Sequence, residues 1–274
     1  ETILKDNITW HLVHPGVNTT PWQLEGTILG LRDHGFSNLV DVHNHTVVTD
    51  PFKGEHNLRF RPVYDKYEIP TKYNFRKEDM RWEIFQPSEE MLVLPKIYPR
   101  GFRIPDYFLG RNIVQLPTVK THTYTTYTGA MKNAFGGLLN YLRHYTHTWI
   151  HETLVDLLAV GQEIHTGMFA TMDGTTAGSG PGPRTVVPHD KNIILASADQ
   201  VAIDAVAATL MGFDWRKLRL LDNSYKMRRL NFVAFGPDEI EVRSNRADRS
   251  GGLAALEGTC QFRPHIGWVG AIEQ

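Results

Sequence analysis

Cysteine is nearly absent: Cys260 is the only one in 274 residues. That excludes an internal disulfide framework and a four-cysteine zinc or iron–sulfur centre, so no iron–sulfur cluster is ligated within this chain. Long apolar runs are missing as well. No stretch reaches the roughly 18–20 residues a helix needs to cross a bilayer. Neither sign of charge is in excess, with 29 Lys and Arg against 30 Asp and Glu. No global field therefore favours nucleic acid or an anionic membrane. Internal repeats and low-complexity segments are absent too. What is left is an ordinary globular composition, 41% hydrophobic and 22% charged. The length suits a single α/β domain over residues 1–274. Histidine is the exception. Thirteen are present, a surplus compatible with metal or proton chemistry. The chain opens on Glu1 rather than Met, which predicts a processed product, soluble and either cytoplasmic or exported. A homo-oligomer is compatible with all of this.

The local pattern predicts alternating strands and helices. "ITWHLV" (8–13) reads as a short strand. A helix follows over 19–36, with Thr20 as cap, Pro21 in the first turn and Gly35 as stop. "NLVDVHNH" (38–45) is the next strand, and the βαβ order predicts a mixed, mainly parallel sheet flanked by helices. Residues 46–103 are polar, aromatic and marked by proline. They read as an insertion or lid with a hairpin, in which "MRWEIFQP" and "EMLVLPKIYP" are the β segments. "RNIVQLPTVK" (111–120) is a strand running into a proline. A helix is expected over 148–163, a strand over 168–174 entering a glycine-rich loop, and a strand over 192–197. A helix over 198–213 should then be capped by Asp199 or Ser197 and stopped by Gly212. A last strand is expected over 238–244.

The chemistry concentrates in "KTHTYTTYTGAMKNAFGG" (120–137). Lys120 and His122 are two apart at a strand end, so they point the same way. Ligands gather at the carboxyl ends of strands in open α/β sheets. A same-facing Lys and His can polarise an oxyanion and shuttle a proton. His122 is the expected acid/base. Lys120 and Lys132 are expected to hold a carboxylate, phosphate or enolate oxygen. Thr128, Gly129 and Asn133 would contact the ligand, and the N–H groups where the helix starts near Lys132 would favour an anion. Asp173 and Gly174 open a second polar loop, as further ligand contacts. His144, His147 and His151 fall on one face if that stretch is helical. His147 with Asp173 is the candidate pair for a divalent metal. Asp204, on the apolar side of its helix, needs a partner if buried. "HNH" (43–45) is too short to be informative. The partner these residues fit is an anionic small molecule. The reaction would be isomerase, lyase or transferase chemistry. The alternatives are a His/Asp metalloprotein and a non-catalytic anion-binding protein.

Three stretches, "LPTVKTHTYTTYTGAMKNAFGG", "MDGTTAGSGPGP" and "NIILASADQVAIDAVAATLMGFD", closely resemble the bacterial and archaeal family called domain of unknown function 362. The resemblance is strong over 111–213, and "ILKDNITWH" with "TILGLRDHGFSNLVDVHNH" resembles the family's first strand, helix and second strand. It implies an α/β fold and no settled activity. Many relatives carry cysteine-rich ferredoxin-type segments, which this sequence lacks. A more distant resemblance is to the nickel-pincer lactate racemases. They too have a strand-end histidine followed about ten positions later by a lysine, here His122 and Lys132, and a downstream metal-ligating histidine comparable to His147.

Overall fold

The computed structural model describes residues 1–226 and 236–274. The chain starts with β1 (Thr2–Lys5), α1 (Pro21–Asp33) and β2 (Leu39–His43), then α2 (Pro51–Asn57), α3 (Phe60–Tyr67) and β3 (Thr71–Tyr73). A hairpin of β4 (Trp82–Phe85) and β5 (Phe102–Pro105) encloses the short α4 (Leu94–Ile97). β6 (Asn112–Gln115), β7 (Thr118–His122) and β8 (Thr126–Thr128) lead into α5 (Ala130–Leu138) and α6 (Ile150–Ile164). β9 (Gly167–Ser179), β10 (Val187–Ser197), α7 (Gln200–Leu210) and α8 (Arg219–Lys226) complete the main elements.

Eight strands form one mixed sheet. β3, β2, β1, β6 and β9 run parallel, β7 is parallel to β9, and β8 and β10 are antiparallel additions. The α/β architecture with a mainly parallel sheet is as the sequence predicts. Strands buried on both faces supply two cores. Ile3, Val40 and Val42 face α5, α6 and α7, whereas Leu4, Leu39 and Val114 face α1 and α3.

The predicted 111–120 strand is broken at Leu116–Pro117, but its halves follow one another along the same side of β9. Asn112 faces Gly167, Gln115 faces Ala170 and Thr118 faces Asp173 without a change of register. Proline removes one ladder donor. β9 bridges the gap, as Asp173 N–H donates to Pro117 O at 3.0 Å.

Elsewhere the expectations need correction. Residues 8–13 are a loop, the first strand being Thr2–Lys5. The loop's amides turn to side chains, Trp10 N–H to Asn18 Oδ1 and, just before it, Asn7 N–H to Thr19 Oγ1. Residues 46–103 hold three helices and a strand of the main sheet besides the expected hairpin, so the segment carries more regular structure than its polar, proline-marked sequence suggests. "EMLVLPKIYP" contains α4 rather than a strand. Asp156 fixes that turn by accepting from Leu92, Val93 and Leu94 amides. The glycine-rich stretch after Asp173 continues β9 to Ser179. Residues 238–244 hold a 3-10 turn and a single bridge from Val242 to Gly251.

The N-caps follow the sequence. Thr20 Oγ1 accepts from Gln23 N–H, and Asp199 accepts from Val201 and Ala202 amides with Ser197 behind it. Asp204 finds its partners across the fold. It is fully buried on α7, and burial pushes its carboxyl up to about 7. It accepts from Ala130 N–H at 2.6 Å, Met131 N–H at 3.2 Å and the Tyr127 hydroxyl at 3.2 Å. Asp204 therefore caps α5, the helix that carries Lys132. Gly129 permits this approach, since a Cβ there would overlap the Asp204 carboxylate. Asp204→Ala strands three buried donors, each worth about 1–3 kcal/mol. A loss of roughly 3 kcal/mol is the expected outcome of urea unfolding. A change below about 0.5 kcal/mol, the size of an ordinary surface substitution, would mean the cap contributes little.

Candidate functional site

A cavity of about 500 Å³ opens where β1, β2 and β7 end. This is the carboxyl side of the parallel strands, where α/β sheets place ligands. Lys132, Arg143 and Arg184 line it, with His122, Thr128 and Asp6.

Lys132 sits in the first turn of α5 with its side chain half-buried. Among the described residues no carboxylate lies within ion-pair distance of it; its Nζ lies 5.6 Å from the centre of the Phe135 ring. Burial, reinforced by Arg143 and Arg184, pulls its amine down to about 7. Arg143 is buried and its Nε has no hydrogen-bond partner. Burial pulls its guanidinium down to about 10. Asn44, with its amide turned to donate to Gly136 O, accepts from Arg143 Nη2 at 3.2 Å. Among the described residues Arg184 makes one long hydrogen bond, 3.4 Å from Nε to Thr9 O. Lys132, Arg143 and Arg184 thus face one cavity with no carboxylate within ion-pair distance of them among the described residues; Asp6, on the same cavity, lies against Lys5 and His43 instead. Such an arrangement stores repulsion that an anionic ligand would relieve.

His122 is held in one tautomer. Its Nδ1 accepts from the backbone N–H of Tyr124 at 3.0 Å and of Thr125 at 3.3 Å. The ring's proton is therefore on Nε2, because a protonated Nδ1 would meet two donors. Burial and the charges of Lys132 and Lys120 keep the ring well below its ordinary pKa, hence neutral. A neutral ring whose lone pair is occupied is a poor general base and a good donor to a developing oxyanion. The acid/base role expected of His122 is thus not the one its geometry favours. The Thr128 hydroxyl is buried beside the cavity with no partner.

Lys120 stands behind the wall. It is fully buried, and its Nζ donates to Thr9 Oγ1 at 2.7 Å and to Val17 O. Burial and Lys132 hold its amine well below the usual range. It ties the 7–19 loop to β7 rather than facing a ligand. Asn133 borders the cavity, but its amide nitrogen is taken by Lys5 O at 2.7 Å and Gln115 Oε1 at 2.8 Å. The N–H groups at the α5 start are not free for an anion either, since Asp204 occupies the first two.

Asp173 and Gly174 lie elsewhere, within β9. The Asp173 carboxylate accepts from Thr20 Oγ1 at 2.5 Å and Thr175 N–H at 2.7 Å, and so anchors the start of α1. Gly174 gives room to Val119 and Ile193. Asp173 is not brought to His147. His144 and His147 do reach the cavity, on a 3-10 stretch, with rings stacked 5.3 Å apart. His147 Nδ1 bonds to His144 O, and burial pulls its ring down to about 4. His151 is separate, buried on α6 beside Trp268. The expected three-histidine face does not form, because 3-10 geometry replaces the α-helix up to Trp149.

Sequence reasoning missed a second group beside the cavity. Asp6, Asp41 and His43 come from the ends of β1 and β2, all at most 1% exposed. Strand alternation sends them to the α2–α3 face. There His43 Nδ1 lies 3.2 Å from Asp6 Oδ1, and Nε2 lies 3.5 Å from Asp41 Oδ1 and 3.4 Å from Glu55 Oε1. Burial disfavours the imidazolium, yet Asp6 and Asp41 push the ring up to about 9. Burial and Asp6 raise Asp41 to about 8. Among the described residues this is the one group of three or more His, Cys, Asp or Glu whose candidate ligand atoms converge. The "KDN" and "DVHNH" at the strand ends were its only sequence signal. Arg143 and Arg184 were missed too, since nothing local in sequence ties them to Lys132.

A family model described as domain of unknown function (DUF362) matches residues 2–209. The chain belongs to this family. No match was found among curated proteins or among solved structures. In this DUF362 protein the matched span takes in every cavity residue named above and all of residues 46–103. No helix among the described residues is long and apolar enough to cross a membrane.

Proposed function

We propose that the cleft belongs to an enzyme that moves a proton on an anionic small molecule. One observation carries this reading: Lys132, half-buried and without a carboxylate partner among the described residues, faces an open cavity beside two arginines, a setting that draws its amine down to about 7. A lysine poised near neutral pH is suited to exchange protons at working pH. In this reading Arg143 and Arg184 hold the carboxylate or phosphate. His122 donates from Nε2, and Thr128 from its hydroxyl, to the oxygen that gains charge. Lys132 takes up or delivers the proton.

Ligand binding should itself take up a proton. At pH 8 the free Lys132 amine is mostly neutral, and an anion beside it raises its proton affinity. Calorimetric titration with inorganic phosphate or a small dicarboxylate, in buffers of differing ionisation enthalpy, should show uptake approaching one proton per site. Turnover is tested by incubating the protein in D₂O with pooled carboxylate and phosphate metabolites, and following loss of carbon-bound proton signals. Exchange that requires Lys132 supports the enzyme. Binding without proton uptake and without exchange would reduce the cleft to an anion-holding site.

A further inference from the structure

We infer that Asp6, Asp41 and His43 form a site for one divalent first-row transition-metal ion at the edge of the cleft, a site independent of the anion-binding reading. Buried carboxylates are ordinarily paired, hydrogen-bonded or bound to a metal. Asp6 and Asp41 meet the first two conditions only in part: Lys5 reaches one oxygen of Asp6 at 3.4 Å, and His43 lies 3.2 Å from that oxygen and 3.5 Å from one of Asp41. Asp6 Oδ2 and both oxygens of Asp41 accept no hydrogen bond, although both residues are at most 1% exposed. Lys5 Nζ spends its short bond, 2.6 Å, on the Asp6 carbonyl and reaches Asp6 Oδ1 only at 3.4 Å. The Tyr64 hydroxyl bonds to His43 Nε2 at 3.2 Å.

The spacing suits an ion. The candidate ligand atoms of the three residues lie within 4.8 Å of one another. Metal bonds of about 2.1 Å separate neighbouring ligand atoms by roughly 3–3.5 Å. Side-chain adjustments of under about an ångström would close the set. With Nδ1 on the ion, the side that Asp6 shares, Nε2 still faces the Glu55 carboxylate at 3.4 Å. That outer carboxylate is the usual companion of a metal-bound histidine. Glu55 is itself fixed by Tyr73 at 2.8 Å and Arg61 at 2.7 Å, so it orients the ring rather than adding a ligand.

One imidazole with two carboxylates favours manganese, iron, cobalt or zinc over calcium or magnesium, and no thiolate is present to select softer ions. Asp6 borders the cavity, so water or an oxygen of a cleft ligand can fill the remaining positions.

The test uses the full chain after treatment with a chelator, titrated with Mn²⁺ alone and followed by the paramagnetic resonance of free Mn²⁺. The expected result is one ion per chain, bound at least about tenfold more weakly by Asp41→Asn and His43→Gln. Circular dichroism checks folding. Should either variant fail to fold, Asp6→Asn at the cavity edge carries the same comparison. Wild-type protein that retains none of Mn²⁺, Co²⁺ or Zn²⁺ overturns the site, as does a folded variant that binds as tightly as wild type. Phosphate titration of the same samples reports on the anion site separately.

Discussion

Lys132→Met lowers turnover by about 10²–10⁴-fold, the usual contribution of a positioned acid or base, and does so without harming the fold. Methionine fills the same length on α5 and keeps the contact with Phe135. The ammonium it removes has no ion-pair partner among the described residues and sits near two arginines. Stability should therefore hold or rise while activity falls, opposite signs that a structural role would not produce. The pH dependence makes this sharper. Lys132 has a native pKa of about 7 against an ordinary 10.5. Between those values the unfolded chain binds more protons, so wild-type stability rises with pH across that window. Below about pH 7 both states are protonated, and the native state bears the full cost of the buried cation. The methionine variant should lose that slope. Urea midpoints at pH 6, 8 and 10, alongside turnover at each pH, measure both effects. Unchanged turnover would move the proton-transferring group elsewhere.

Gly182→Ala is expected to destabilise by more than about 3 kcal/mol, in the range reserved for named steric or cavity defects. A Cβ at 182 would overlap the Thr121 carbonyl and lie 2.5 Å from its carbon and 3.2 Å from His122 N. These are backbone atoms of β7, so no side-chain rotation relieves the clash. The loop must lift, and Gly182 O then loses the Thr123 amide and hydroxyl that it accepts at 3.2 and 2.6 Å. Arg184, two residues on, would leave the cavity with it. Phosphate affinity should fall in the same variant. An alanine protein with wild-type unfolding midpoint and affinity would mean that this contact does not position the loop.

Much of the scaffold was legible because it obeys short-range rules. Thr20–Pro21, Asp199 and Gly212 mark helix ends by capping chemistry, and the apolar runs mark parallel strands buried on both sides. The segment around Lys120 to Asn133 was also visible as a polar cluster at a strand end. Its division of labour was not. Lys120 and His122 share a face, but only the tertiary structure shows that one is consumed by Thr9 and Val17 while the other is pinned by two amides. Arg143 and Arg184 are 41 residues apart in number and meet through loops from different parts of the sheet. Asp173 looked like a ligand because it ends an apolar run beside glycines. It turned inward because Thr20, 153 positions away, needed an acceptor. Local pattern reveals which residues are polar and clustered; it does not reveal whose hydrogen bonds are already spent.

The kinked passage from β6 to β7 fixes a length rather than a residue type. Because Gln115 and Thr118 keep one register on β9, the two residues between them act as a spacer of set parity. Deleting either Leu116 or Pro117 would slide β7 by one position, and a slide of one exchanges the two faces of a strand. Thr121 and Thr123 would then take the places of Lys120 and His122. The composition of the site would be untouched, and the imidazole would point to the wrong side of the sheet.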